Sequence, residues 1–376
     1  MSLYPGVADL KARARRRVPK FVWEFLDSGT GDEATKARNR TALDRIGFMP
    51  SILHGPIEPD TGKSFMGADF PIPAGIAPVG MSGLIWPDTE RLLASAAATA
   101  GIPYCLGNVA CQSPEDLAPY LGAHAWFQLY PPKDEDIRRD LLKRARDSGF
   151  NGLVLTVDVP VASRRERQTR SGLRHPPKMT PRLLAQSALR PAWALGMARR
   201  GVPHMPTLDK YTGAQTDLPP TEHVGYMLRT SPGWDYVKWL RDHWDGPLLI
   251  KGVLRGEDAA RLQDEGADAI WVSNHAGRQF AGAPASIEVL PDVRAASELP
   301  VIFDSGVEGG LDILRAVALG ADFVMLGRAF HFAVAALGEA GPAHLIDILR
   351  RDMIANMGQL GAADLAGLPA PITLSG

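Results

Sequence analysis

Short apolar runs rich in β-branched residues recur along the chain, each ending in a polar or glycine cluster. Eight occur, over residues 72–78, 103–107, 125–130, 152–158, 247–253, 269–274, 300–306 and 323–328. Runs of this length without polar alternation suit strands buried on both faces, as in a parallel sheet. Stretches with helical spacing lie between them, most clearly over 89–100, 135–147, 256–265, 287–296 and 311–319. Gly101, Gly149, Gly266 and Gly320 stand where a left-handed cap ends a helix. Strand–helix alternation repeated eight times predicts an α/β fold closed into a (β/α)8 TIM barrel. The alternative, an open doubly wound sheet, normally carries GxGxxG after its first strand, and none follows 72–78.

The whole chain, 1–376, reads as one barrel domain with two additions. Residues 1–70 precede the first run and predict helices and a hairpin that close the barrel's bottom or rim. Residues 167–232, rich in proline, glycine and basic side chains, interrupt the repeat after the fourth strand. An insertion of this length is usually a lid or a partner surface. Within it, residues 179–200 mix Leu, Ala, Trp193 and Met197 with arginines. Packing against the barrel is the expectation for such an apolar face, with a helix lying on a membrane surface as the alternative.

Composition narrows the classes. A barrel of roughly 250 residues with added elements fits the length. Lys and Arg total 41 against 42 Asp and Glu, so no global field draws the chain to nucleic acid. The basic run 11–17 reads as a solvated helix face. Cys105 and Cys111 are the two cysteines, without CxxC or Cys/His ligand spacing, so no metal site and no disulfide framework are expected. Residues 1–20 lack the apolar core of a signal peptide. No window approaches the roughly 18–20 uninterrupted apolar residues of a spanning helix. The expected location is cytoplasmic.

In such a barrel the active site lies where the strands end, and the polar residues there come from distant parts of the sequence. They are Gln128 and Tyr130; Thr156 and Asp158, followed by Arg164 and Arg165; Lys251; Ser273 through Gln279; Asp304, Ser305 and Gly306; and Gly327 and Arg328. Of the 9 histidines, His275 alone follows a buried strand beside an arginine, which makes it the candidate base. Lys251 within an apolar strand needs an anion, either an internal carboxylate or a cofactor that becomes negative. Arg165 and Arg278 suggest a bidentate clamp on a carboxylate. Gly327 and Arg328, with Gly306, occupy the usual phosphate position of the last two barrel loops.

From about Val18 onward the sequence resembles the FMN-dependent α-hydroxy acid oxidases and dehydrogenases. The resemblance rests on Ser273-Asn274-His275-Ala276-Gly277-Arg278-Gln279, Phe127-Gln128-Leu129-Tyr130, Leu155-Thr156-Val157-Asp158, Lys251-Gly252-Val253, and Ala318-Leu319-Gly320-Ala321 leading to Gly327-Arg328. Pro78-Val79-Gly80, Asp304-Ser305-Gly306-Val307 and the long insertion look most like the bacterial L-lactate dehydrogenase branch. The resemblance implies His275 as base, Asp158 as its carboxylate partner, Arg278 and Arg165 as the substrate clamp, Tyr130 as a substrate phenol, and Lys251 at the flavin N1/O2 edge. It further implies FMN contacts from Pro78, Val79, Gly80, Asn108, Gln128, Thr156, Ser273, Asp304, Ser305, Gly306, Gly327 and Arg328. A homo-oligomer, tetrameric by analogy, and peripheral contact with the inner face of the cell membrane are implied in the same way.

Four positions depart from the family pattern. Phe25 stands where the family has a substrate-binding tyrosine, Val109 where glycolate oxidase has tryptophan, Ala276 where a glycine follows the base, and Glu308 where an arginine approaches the FMN phosphate. Loss of the tyrosine hydroxyl removes a hydrogen bond worth roughly 1.5–3 kcal/mol to a charged acceptor. Val109 is expected to open room, as is Gly80 near flavin N5, and Glu308 leaves Arg328 to carry more of the phosphate contact. The expected reaction is oxidation of a 2-hydroxy acid, lactate-like or bulkier, with electrons passed to a quinone or another carrier. An O2-using oxidase or monooxygenase, a redox-silent FMN barrel of the isopentenyl-diphosphate isomerase type, and a non-catalytic scaffold are the alternatives.

Overall fold

A computed structural model describes residues 3–173, 180–212 and 229–374. Eight parallel strands close into a barrel: β1 (Ala74–Ile76), β2 (Tyr104–Gly107), β3 (Ala125–Leu129), β4 (Gly152–Thr156), β5 (Leu248–Val253), β6 (Ala269–Val272), β7 (Val301–Phe303) and β8 (Phe323–Leu326). Each pairs with the next in sequence, and β8 pairs with β1 through Val324 and Ala74. All eight apolar runs thus become strands in the expected order. Their polar ends are trimmed into loops, because those residues turn to the barrel mouth rather than continue the ladder.

The helices between the strands follow the 3.6-residue spacing closely, Thr89–Ala100 and Glu135–Asp147 among them. Gly101, Gly149, Gly266 and Gly320 all have positive φ, as chain reversal after each helix requires.

The first 70 residues form three helices, Val7–Arg17, Lys20–Asp27 and Ala34–Asp44, and the hairpin Lys63–Phe65/Ala68–Phe70. Phe65 stacks on Phe323 at the start of β8 and Phe70 meets it edge-on, 4.9 and 5.1 Å between ring centroids. They join the barrel-interior residues Trp126, Val154, Leu249, Trp271 and Met325 in one apolar cluster. The hairpin therefore plugs the N-terminal mouth, and the helices Lys20–Asp27 and Ala34–Asp44 reach the opposite, C-terminal rim.

The insertion after β4 carries the helices Glu166–Ser171, Pro181–Ala188, Pro191–Arg200 and Pro206–Thr212; residues 174–179 and 213–228 lie outside the described residues. Leu183 and Trp193 are buried, with Trp193 Nε1 donating to Leu84 O on the loop after β1. Leu184, Leu189, Leu195 and Val202 face outward at 54, 71, 53 and 62 % exposure. The expectation of plain packing thus holds for one face only. Arg328–Leu360 reaches the length and apolar composition of a membrane span, although charged residues interrupt its apolar stretches. It forms two helices, Arg328–Leu337 and Gly341–Leu360, and Phe330, Phe332, Leu345, Leu349, Met353 and Met357 are buried in the fold.

Candidate active site

The rim at the C-terminal ends of the strands gathers the reactive side chains. His275 follows β6 in a tight turn, with φ 55° at His275 and 54° at Ala276. Non-glycine residues seldom adopt this left-handed region, and the turn is held by side chains. Ser273 Oγ accepts from His275 N, Ser305 Oγ accepts from Ala276 N, and Asn274 Oδ1 accepts from Gly277 N. Asn274 is in turn paired with Asn39 through two hydrogen bonds of 2.8 and 2.6 Å.

Asp158 Oδ1 lies 3.0 Å from His275 Nδ1. A carboxylate accepts, so Nδ1 carries the proton and the Nε2 lone pair is left to face the mouth. Tyr130 Oη stands 3.4 Å from Nε2. Burial, aided by the charges of Lys251 and Arg165, holds His275 below its ordinary pKa against the pull of Asp158. Burial acts to raise Asp158, but His275 and Lys251 outweigh it and leave the carboxyl below its usual range. The pair therefore consists of a neutral imidazole and an ionised acid at neutral pH, while the imidazole side chain keeps 18 % exposure for access.

Lys251 sits at the floor of this site. Its Nζ donates to Ser273 Oγ at 2.7 Å and pairs with Asp304 Oδ2 at 3.0 Å. Burial opposes the charge, and Asp304 and Asp158 more than restore it, so the ammonium persists. The strand is bulged here: the β5–β6 register shifts between Lys251 and Val253, and Gly252 has φ 111°. A Cβ at Gly252 would stand 2.5 Å from Asp158 Cβ, so glycine is what lets β5 pass beside the carboxylate. Ser273 touches both the lysine and the backbone of His275, which places the two functional groups in one site.

The two arginines lie on the same rim. Arg165 Nε donates to Ser163 Oγ, and Arg278 Nη1 to the carbonyls of Phe25, Leu26 and Ser28. Asn108 links the ends of β2 and β3 by bonding the Tyr130 backbone, at 3.4 Å to N and 3.5 Å to O. Asp304 is engaged within the protein, by Trp271 Nε1, Lys251 and Ser305 Oγ. At the last two loops, Arg328 opens the helix Arg328–Leu337 and donates to the carbonyls of Leu26, Ser28 and Ala276.

This donor set fits a flavin. Gln128 Nε2 and Asp158 Oδ2 are buried without a hydrogen-bond partner among the described residues, a costly state unless a polar ligand meets them. A Cβ at Gly107 would come within 3.0 Å of Gln128 Oε1, so the amide lies against a residue with no side chain. Lys251, Thr156 and Ser273 add a buried cation and two hydroxyls on adjacent strands.

Residues 14–373 match the family described as FMN-dependent dehydrogenase. The chain belongs to this family. Among the relatives of this FMN-dependent dehydrogenase, the L-lactate dehydrogenase of Caulobacter vibrioides is 39% identical over 373 residues, covering 96% of each chain. That of Pseudomonas aeruginosa is 37% identical over 368 residues, again covering 96% of each. The structure of (S)-mandelate dehydrogenase, described as a monotopic membrane protein, superposes with a TM-score of 0.92 at 34% identity, over 98% of this chain and 99% of that one. Mandelate oxidase with (S)-2-phenylpropionate does so at 0.83 and 33%, over 99% of each. FMN is accordingly the cofactor, and the redox-silent barrel is set aside.

The departures from the family pattern acquire geometry. Phe25 is partly buried, and the guanidinium carbon of Arg278 lies 5.7 Å from its ring centroid. Val109 Cγ2 stands 2.7 Å from where a Cβ on Gly80 would be, so the valine packs against that glycine. Ala276 keeps the left-handed turn despite its methyl. Glu308 pairs with Lys11 at 2.8 Å.

What the sequence reading missed lies mainly in the N-terminal extension. Asn39 braces the His275 turn, Thr30 N donates to Gly277 O, and Gly31 N to Arg164 O. Arg167 ties that extension to the insertion through Asp27 at 2.7 Å and Glu33 at 2.9 Å. An asparagine inside a helix is a mild local signal, since it is a poor helix former; the remaining contacts have none.

Proposed function

We propose that the chain oxidises the carbinol carbon of a 2-hydroxy acid to the 2-oxo acid, with His275 as the base. The observation carrying this reading is the neutral imidazole, held by Asp158 at 3.0 Å with Nε2 toward Tyr130. FMN, when bound, would supply the two-electron acceptor for this oxidation. His275 Nε2 takes the hydroxyl proton, and Asp158 stabilises the imidazolium that results. Arg165 and Arg278 hold the substrate carboxylate, and Tyr130 orients the hydroxyl-bearing carbon. Lys251 supplies the fixed cation at the flavin edge where negative charge collects. Gln128, Thr156, Ser273, Asn108 and the backbone of 78–80 would hold the ring, while Asp304, Ser305, Gly306, Gly327 and Arg328 would serve the ribityl phosphate end.

Phe25 offers the carboxylate no hydroxyl, and Val109 and Ala276 complete the wall on the substrate side. The substrate assigned is lactate or a bulkier 2-hydroxy acid. The electron acceptor is a quinone, reached at the inner face of the cell membrane through the helices Pro181–Ala188 and Pro191–Arg200. Their outward leucines with the exposed Arg182 and Arg199 make a surface suited to anionic lipid. An anaerobic screen of 2-hydroxy acids, scored by loss of flavin absorbance, tests the reaction: absence of bleaching by every acid rejects it. Reoxidation that is slow in air and fast with a quinone analogue supports the acceptor, and rapid reoxidation in air assigns O2 instead.

A further inference from the structure

The phosphate end of the flavin site is electrostatically unusual. Barrel enzymes hold phosphate at the loops after the seventh and eighth strands, with helix N-termini and cations. Here the loop after β8 contributes Arg328, whose guanidinium meets three carbonyls and, among the described residues, no carboxylate within ion-pair distance. The loop after β7 contributes Glu308. Its backbone N–H is tied to Asp312 Oδ2 at 2.9 Å, and its negative charge acts on the buried Arg328 after that of Asp27 and ahead of that of Glu33. An isolated carboxylate beside a phosphate dianion would oppose it.

The N-terminal helix Val7–Arg17 answers that charge. Lys11 Nζ lies 2.8 Å from Glu308 Oε1 and 5.5 Å from the centroid of Phe332, one turn into the helix that Arg328 opens. The placement is fixed from both sides. Arg13 Nε donates to Ala336 O at 2.8 Å, near the far end of the same helix, and Arg17 donates to that carbonyl as well. Val7, Leu10 and Ala14 are buried beneath them. An exposed ion pair of this kind adds little to folding stability by itself. Its position, between the docked helix and the phosphate loop, gives it a different consequence.

We infer that Lys11 is a positioning residue of the FMN site: it neutralises Glu308, so that Arg328 and the loop amides can hold the phosphate, and it makes FMN retention depend on the docked N-terminal helix. This rests on FMN being the cofactor and goes beyond it, because the effect is specific to the phosphate and not to the isoalloxazine ring. Riboflavin, which has the ring and the ribityl chain but no phosphate, separates the two.

The test titrates the flavin-stripped full chain with FMN and with riboflavin, following quenching of flavin fluorescence. Lys11→Met is expected to weaken FMN by about tenfold or more while leaving riboflavin within about twofold. Lys11→Arg retains FMN affinity, and Lys11→Met/Glu308→Gln recovers most of it, since the unmasked carboxylate is then gone. Equal loss of both flavins would show that Lys11 merely packs the helix, and no change in either would show that Glu308 does not face the phosphate; each overturns the inference. Failure of the double variant to recover FMN overturns it too. A wild-type chain that binds neither flavin would instead reject FMN as cofactor.

Discussion

At the scale of single residues, the site turns on which nitrogen of His275 carries the proton. Asp158 fixes the proton on Nδ1, and burial with two nearby cations keeps the ring neutral at a pH where an ordinary imidazole begins to charge. A base must be unprotonated to act, so a lowered pKa extends activity toward acid. kcat/KM for the substrate acid is therefore expected to be level at neutral pH and above. It should fall on acidification through a point below the ordinary value of 6.5. His275→Gln should keep bound flavin yet slow its reduction by substrate about 10²–10⁴-fold, and the acid limb should vanish from what remains. A variant that keeps both the rate and the limb would move the base elsewhere. The left-handed backbone at His275 and Ala276 is sustained by Ser273, Ser305 and Asn274, not by the turn's own preference.

At the scale of elements, β5 shows how a strand is shaped by its neighbour's chemistry. The bulge at Gly252 lets the Lys251 ammonium reach Ser273 and Asp304 while the backbone clears Asp158. Gly252→Ala would put a Cβ 2.5 Å from Asp158 Cβ at a φ of 111°. The expected cost is on the order of 3 kcal/mol in denaturant unfolding, with the His275–Asp158 geometry disturbed. Unchanged stability would mean the strand relaxes freely around an added methyl. The motif Lys251-Gly252-Val253 was visible in sequence, but the reason for its glycine was not, because Asp158 lies nearly a hundred residues away in the loop after β4.

At the scale of the whole molecule, the two additions divide the barrel's ends. The hairpin closes the N-terminal mouth with Phe65 and Phe70, and the insertion covers part of the C-terminal rim through Trp193. Its outer face carries exposed leucines among arginines. Replacing Leu184, Leu189 and Leu195 together by Ser should reduce sedimentation with anionic vesicles about tenfold or more and leave flavin reduction by substrate intact. Equal vesicle binding by the triple variant would sink the docking surface.

The amino-acid sequence by itself determined the strand count and order, the helices between them, and which residues reach the barrel mouth. These follow from local periodicity and from the polar residues that end each apolar run. Only the tertiary structure decided that Asn39 braces the His275 turn, that Val109 packs against Gly80, and that Lys11 answers Glu308 across nearly three hundred residues. Such pairings depend on which helix docks against which loop. That is set by the packing of whole faces, and no spacing within a short stretch of chain records it.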